Sequence, residues 1–221
     1  MINILLNLYN FHEKWCFETL KDILKEEYRV LVIPFSFNDD WMKNDNEWQT
    51  AYNPITGKYY KDIVIPFLSY GIKAENINWI NYFNDTKDSS KYKINNSDII
   101  FFTGGLPDQM MDRLKEFKII EDIENYKGIV MGSSAGAMIQ VAQYHITPDK
   151  DYDSFSYNEG LNMITDFDIE VHYKETSIQK ESIKKVLKEK SRRIYAMKDK
   201  GGIIINGEKI TILGDVTLFD I

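Results

Sequence analysis

Ile129-Val130-Met131-Gly132-Ser133-Ser134-Ala135-Gly136-Ala137-Met138-Ile139 passes from an apolar run, through small residues, into a helix-forming run. The first part reads as a buried strand and the last as the start of a helix. Between them stands G-x-S-x-G, with Gly132, Ser134 and Gly136 in the fixed places. A strand that turns at once into a helix strains its corner residue and exposes that residue's side chain at the apex. This nucleophile-elbow pattern nominates Ser134 as a nucleophile and Ser133 as a bystander. The helix behind it offers free backbone N–H groups, that of Ala135 first, to a developing anion. The same residues also suit a plain small-residue turn, so the rest of the chain must decide.

Upstream, Asp98-Ile99-Ile100-Phe101-Phe102 is a strand ending in Thr103-Gly104-Gly105. Ligands of α/β sheets gather at the carboxyl ends of the strands. Glycines there let the backbone approach a substrate. A glycine N–H at this point, paired with that of Ala135, would complete an oxyanion hole. A simple strand-to-helix turn is the alternative.

The remaining order fits this frame. Residues 2–8 and 29–35 read as strands, with a helical pattern over 12–26 between them, which predicts parallel strands. Residues 61–71, 108–117 and a shorter stretch to Tyr126 read as helices, and 76–83 as a short strand. Residues 84–97 and 144–165 are polar and turn-rich, the second holding His145. Residues 167–173 alternate as a strand and lead to His172. Thr176 and Gln179 form a capping box for a helix. Short strands follow at 194–197, 202–206 and 209–213, with a hairpin turn at Asn206-Gly207. Residues 36–60 interrupt the rhythm with Trp41, Trp48, Tyr52, Tyr59 and Tyr60 among polar residues. They suit a cover over a cleft, a subunit contact in a homodimer, or a surface excursion with its own apolar cluster.

No linker divides the chain, so residues 1–221 are expected to form one α/β domain, with a mostly parallel central sheet and helices on both faces. A net charge of −7 argues against nucleic acid and anionic membrane as partners. No apolar run reaches membrane-spanning length, and the first residues read as a buried strand and not as a signal peptide. Cys16, the single cysteine, excludes an internal disulfide and suits a reducing, cytoplasmic setting. The histidines and the cysteine do not cluster, so neither a metal nor another cofactor is expected.

A serine hydroxyl needs a base within hydrogen-bond reach, and the base needs an orienting group. His145 lies in a loopy segment, whereas His172 closes a strand and would emerge at its end, so His172 is the preferred base. Asp199 follows it. The order serine, histidine, acid differs from that of the α/β-hydrolases.

These residues together resemble the dipeptidase E and cyanophycinase family of serine peptidases, family S51, which has a class I glutamine amidotransferase-like fold. The resemblance rests on Phe101-Phe102-Thr103-Gly104-Gly105, Gly132-Ser133-Ser134-Ala135-Gly136-Ala137, His172-Tyr173 and Asp199. It implies a catalytic Ser134, His172 and Asp199, an oxyanion hole of the Gly105 and Ala135 N–H groups, and Gly104 beside the substrate. It further implies a peptidase acting on dipeptides or short peptides through an acyl-enzyme, without cofactor. Three features depart from the family. Tyr173 replaces phenylalanine, Asp199 replaces glutamate, and the segment Lys174–Lys180 has no arginine for an acidic side chain. Amidotransferases use a cysteine at the elbow, and Cys16 lies elsewhere. A non-catalytic binding or sensing protein of the same fold is the competing reading.

Overall fold

The computed structural model describes residues 1–220. Five strands run parallel: β1 (Ile2–Leu6), β2 (Val30–Ile33), β3 (Ile77–Trp79), β4 (Ile99–Phe102) and β5 (Ile129–Ser133). After a hairpin of β6 (Gln143–Ile146) and β7 (Ser156–Glu159), the chain returns through β8 (Phe167–Glu170), β9 (Arg193–Asn206) and β10 (Lys209–Phe219). The eight-stranded sheet has the order β10-β9-β1-β5-β4-β2-β3, with β8 also paired to β9. It is the mostly parallel α/β sheet that the sequence predicts.

All residues of β2 and β4 are buried, because helices cover both faces of the sheet. Alternation along each strand divides the core into two layers. Leu5, Leu31, Ile33, Phe102 and Val130 pack into one, and Ile4, Leu6, Val32, Phe101 and Met131 into the other. Each such side chain contributes roughly 1.5–3 kcal/mol by leaving water.

The helices are α1 (Phe17–Leu20), α2 (Asp45–Tyr52), α3 (Tyr60–Leu68), α4 (Lys87–Asn95), α5 (Pro107–Glu116), α6 (Ile120–Glu124), α7 (Ala135–Met138) and α8 (Ser177–Lys190). Several differ from the sequence expectation. The pattern over 12–26 forms turns around the single-turn α1, anchored by Trp15 Nε1 and Cys16 Sγ on the carbonyls of Asn10 and Phe11. The polar stretch 84–97 holds α4, whose start is fixed by a Thr86–Ser89 capping box and whose buried residues include Ile94. Its few apolar positions hide the helical period. The helix after Ser134 is a single turn.

His145 lies in a strand, β6, and not in a loop. The pieces expected at 194–197 and 202–206 join into one strand, because β10 pairs along β9 and absorbs the irregularity in a bulge between Gly214 and Val216. Residues 36–60 add Met42, Trp48 and Tyr52 to the buried cluster on their side of the sheet. Tyr52 and Tyr60 pack there against Trp79.

Candidate active site

The carboxyl ends of β1, β4 and β5 meet at Ser134. The backbone turns sharply there, at φ 52° and ψ −113°, between β5 and α7. The Ser134 N–H donates to Leu6 O across 2.9 Å, which ties this corner to β1. Small neighbours are required: a Cβ on Gly132 would fall 2.0 Å from the Gly136 carbonyl oxygen. The neighbouring Ser133 points inward, buried, and its Oγ donates to Asn7 O at 3.2 Å.

His172 follows β8, also at a positive φ of 52°. Its Nε2 lies 2.7 Å from Ser134 Oγ. The walls around the ring shield it, although the residue opens to the cleft. This burial holds the imidazole below its ordinary pKa of 6.5. The nearby charge of Asp199 opposes the shift and that of Lys174 adds to it; Asp149 and Glu170 act in the same sense as Asp199. A neutral imidazole beside a hydroxyl can accept its proton.

Asp199 is exposed on β9. Its carboxylate makes no hydrogen bond to His172 among the described residues, and its backbone carbonyl accepts from Asn10 Nδ2 at 3.0 Å. It therefore acts on the imidazole through its field and not by contact.

The two glycines have different surroundings. The Gly104 N–H donates to Tyr9 Oη at 2.7 Å, which occupies it. Burial raises the Tyr9 phenol to about 12, so it stays neutral and can accept this bond. Gly105 has φ +143°, and a Cβ there would meet Ser36 O at 2.3 Å. Neither the Gly105 nor the Ala135 N–H has an acceptor among the described residues. Gly105 lines the same cleft as Ser134, and Ala135 directly follows it at the start of α7.

The cleft at this point has a volume of about 640 Å³, and its walls include Gly105, Ser134, His172, Asp149, Tyr152 and Lys174. No residue from 36–60 lines it. Arg192 also lies outside it and donates to Gln143 O.

His145 lines the same cleft but does not bond the serine hydroxyl, which pairs with His172. It is buried, with Nδ1 2.7 Å from Asp168 Oδ2 and Nε2 2.8 Å from Glu170 Oε2. Burial alone would lower its pKa, but the charges and hydrogen bonds of Asp168 and Glu170 more than offset this and push it up to about 10. The imidazolium satisfies both carboxylates, and so the polar positions of β8 are buried where alternation predicts solvent. Among the described residues no helix is long and apolar enough to cross a membrane.

Sequence reasoning missed Asn7, Tyr9 and Gln179. Asn7 Oδ1 accepts the His172 N–H at 2.6 Å, and Gln179 Nε2 donates to the His172 carbonyl at 3.0 Å. The only signal for Asn7 and Tyr9 was their place just after a buried parallel strand, at the sheet edge that carries Gly104 and Ser134.

The sequence matches the family described as "Peptidase family S51" over residues 12–213. Among solved structures it is similar to that of a candidate peptidase E protein from Listeria monocytogenes EGD-e, at 20% identity and a TM-score of 0.66, covering 96% of each chain. It is similar also to a peptidase from an acI-B1 Actinobacterium, at 13% identity and a TM-score of 0.68, covering 99% of this chain and 93% of that one. These two likenesses are likenesses of fold. No curated protein matches the sequence. With the family match spanning nearly the whole length, this chain belongs to peptidase family S51.

Proposed function

We propose that the protein is a serine peptidase that hydrolyses dipeptides or other short peptides through an acyl-enzyme on Ser134. The observation that carries this reading is the 2.7 Å approach of Ser134 Oγ to His172 Nε2 at the nucleophile elbow. Neutral His172 takes the Ser134 proton as Oγ attacks the scissile carbonyl carbon. The carbonyl electron pair moves to oxygen, and the Gly105 and Ala135 N–H groups hold that oxyanion. The tetrahedral intermediate collapses, the C–N bond breaks, and His172 returns the proton to the leaving amine. Water then attacks the acyl-enzyme with His172 again as base, the acyl C–Oγ bond breaks, and His172 returns the proton to Ser134 Oγ as the carboxylic acid leaves. Asp199 supports the imidazolium at a distance, so the site works as a serine–histidine dyad.

The cleft volume suits a short substrate better than a folded protein. Lys174 and Lys150, both on the cleft wall, are the candidates for attracting a substrate carboxylate, as flexible point charges and without arginine's bidentate fork. A strict requirement for an acidic side chain is therefore not expected. The lone Cys16 accords with work in a reducing cytoplasm.

A fluorophosphonate probe tests the reading, together with a panel of dipeptides. Labelling of Ser134 and turnover across several side chains are expected. An unlabelled Ser134 with no peptide turned over would move the protein to the non-catalytic reading.

A further inference from the structure

No hydrogen bond among the described residues places a side-chain acid on the His172 ring, and the backbone of His172 lies in the left-handed region, which a histidine adopts rarely. Something else must hold it facing Ser134. Two carboxamides grip its peptide groups. Buried Asn7 accepts the His172 N–H at 2.6 Å, and Gln179, also buried, donates to the His172 carbonyl at 3.0 Å.

The Gln179 amide can face only one way. Its Oε1 accepts the Lys174 N–H at 2.9 Å, while its Nε2 donates to Glu170 Oε1 at 3.0 Å as well as to His172. Flipped, it would set an oxygen against a carboxylate and a carbonyl, and an N–H₂ group against an N–H. Glu170 is fixed in turn: its other oxygen accepts from His145 Nε2 and from Thr147 Oγ1 at 2.7 Å. The buried Asp168–His145–Glu170 cluster, which makes no hydrogen bond to Ser134 or to the His172 ring, thus anchors the amide that grips the base. On the other side, Asn7 directly follows β1, whose last carbonyl holds the Ser134 N–H. Nucleophile and base are therefore referenced to the same strand end.

Building on the peptidase reading, we infer that Asn7 and Gln179 are positioning residues that orient His172 through its main chain, in place of an acid acting on its ring. Removing either grip lets the backbone leave the left-handed region and opens the Ser134–His172 contact. A misplacement of about 1 Å at a reacting pair costs on the order of 100-fold in rate.

Asn7→Leu, Asn7→Asp and Gln179→Met test this, each with three readouts: the crystal structure, the rate of Ser134 labelling by a fluorophosphonate, and kcat and KM on a short peptide. Asn7→Leu and Gln179→Met should lower labelling and kcat by roughly 10- to 100-fold with KM little changed. In their structures the Oγ–Nε2 distance should open beyond hydrogen-bond reach. Asn7→Asp keeps an acceptor for the His172 N–H, so it should recover most of the rate. Its new charge joins Asp199, Asp149 and Glu170 against Lys174 around the imidazole. The acid limb of its pH–rate profile should therefore move to higher pH.

An intact contact with wild-type labelling in both Asn7→Leu and Gln179→Met would overturn the inference. So would an Asn7→Asp enzyme as slow as Asn7→Leu with an unmoved acid limb. If Asn7→Leu does not fold, Gln179→Met and Asn7→Asp decide the matter. A wild-type protein without labelling or turnover would sink the peptidase reading instead, and the crystallographic distances would still judge the positioning.

Discussion

Ser134 Oγ and His172 Nε2 stand 2.7 Å apart, and each residue holds a φ of 52°. A left-handed conformation costs about 1–3 kcal/mol at a residue with a side chain. Two such residues meeting at one hydrogen bond mark the place where the fold sets stability against geometry.

The two adjacent serines should separate cleanly. Ser134→Ala is expected to abolish turnover and probe labelling. Ser133→Ala loses one buried hydrogen bond, to Asn7 O, worth about 1 kcal/mol, and should keep most of its activity. Peptidase assays and thermal melts of the two variants check this, and equal loss of activity in both would reject Ser134 as the nucleophile.

Asp199→Asn should lower kcat only slightly, by less than about 10-fold, far below the roughly 10⁴-fold loss known where an acid contacts the base. Its charge raises the His172 pKa, so its removal should move the acid limb of kcat/KM to lower pH. Lys174→Met should move that limb upward, since Lys174 acts in the opposite sense. Measured pH–rate profiles decide both signs, and a large loss of kcat in Asp199→Asn would restore a triad.

Gly105→Ala places a Cβ 2.3 Å from Ser36 O at a φ of +143°. The loop must shift, and with it the Gly105 N–H. Losing one oxyanion donor costs on the order of 100- to 1,000-fold in kcat. Steady-state kinetics should show that loss mainly in kcat, while a near wild-type kcat would take Gly105 out of the oxyanion hole.

His145→Ala leaves Asp168 and Glu170 buried without their cation, and should cost about 3–5 kcal/mol in urea unfolding. The sign of the pH dependence follows from the pKa, which is raised from 6.5 to about 10 on folding. The folded state binds more protons between these values. The stabilisation is complete below about 6.5 and is lost as pH rises towards about 10. Wild-type stability should fall across that window, and His145→Ala should lack this slope. A wild-type curve flat over that range would show that His145 is not charged.

The sequence by itself determined the parallel sheet and its serine corner. Fully apolar runs such as Ile99–Phe102 can be strands only where both faces are covered, and a small-residue corner after one of them lies at the carboxyl edge by necessity. The same argument carried Gly104 and Gly105 to that edge and favoured His172 over His145 as the candidate base. These readings rest on local periodicity and chain order, which a sequence displays directly.

Tertiary structure alone decided how the parts are held. Asn7 and His172 are 165 residues apart, and His145 and Glu170 are 25 apart. Nothing local marks either pair, because the partner of a polar group is chosen by the strands packed beside it. The alternation of β8 suggested solvent for Asp168 and Glu170, and His145 on β6 brought them inside. The reach of Asp199 was likewise undecidable from residue type, since it depends on where β9 passes relative to His172. Hydrogen-bond geometry across the fold fixed that relationship, and it leaves the acid within the field of the base but out of contact with it.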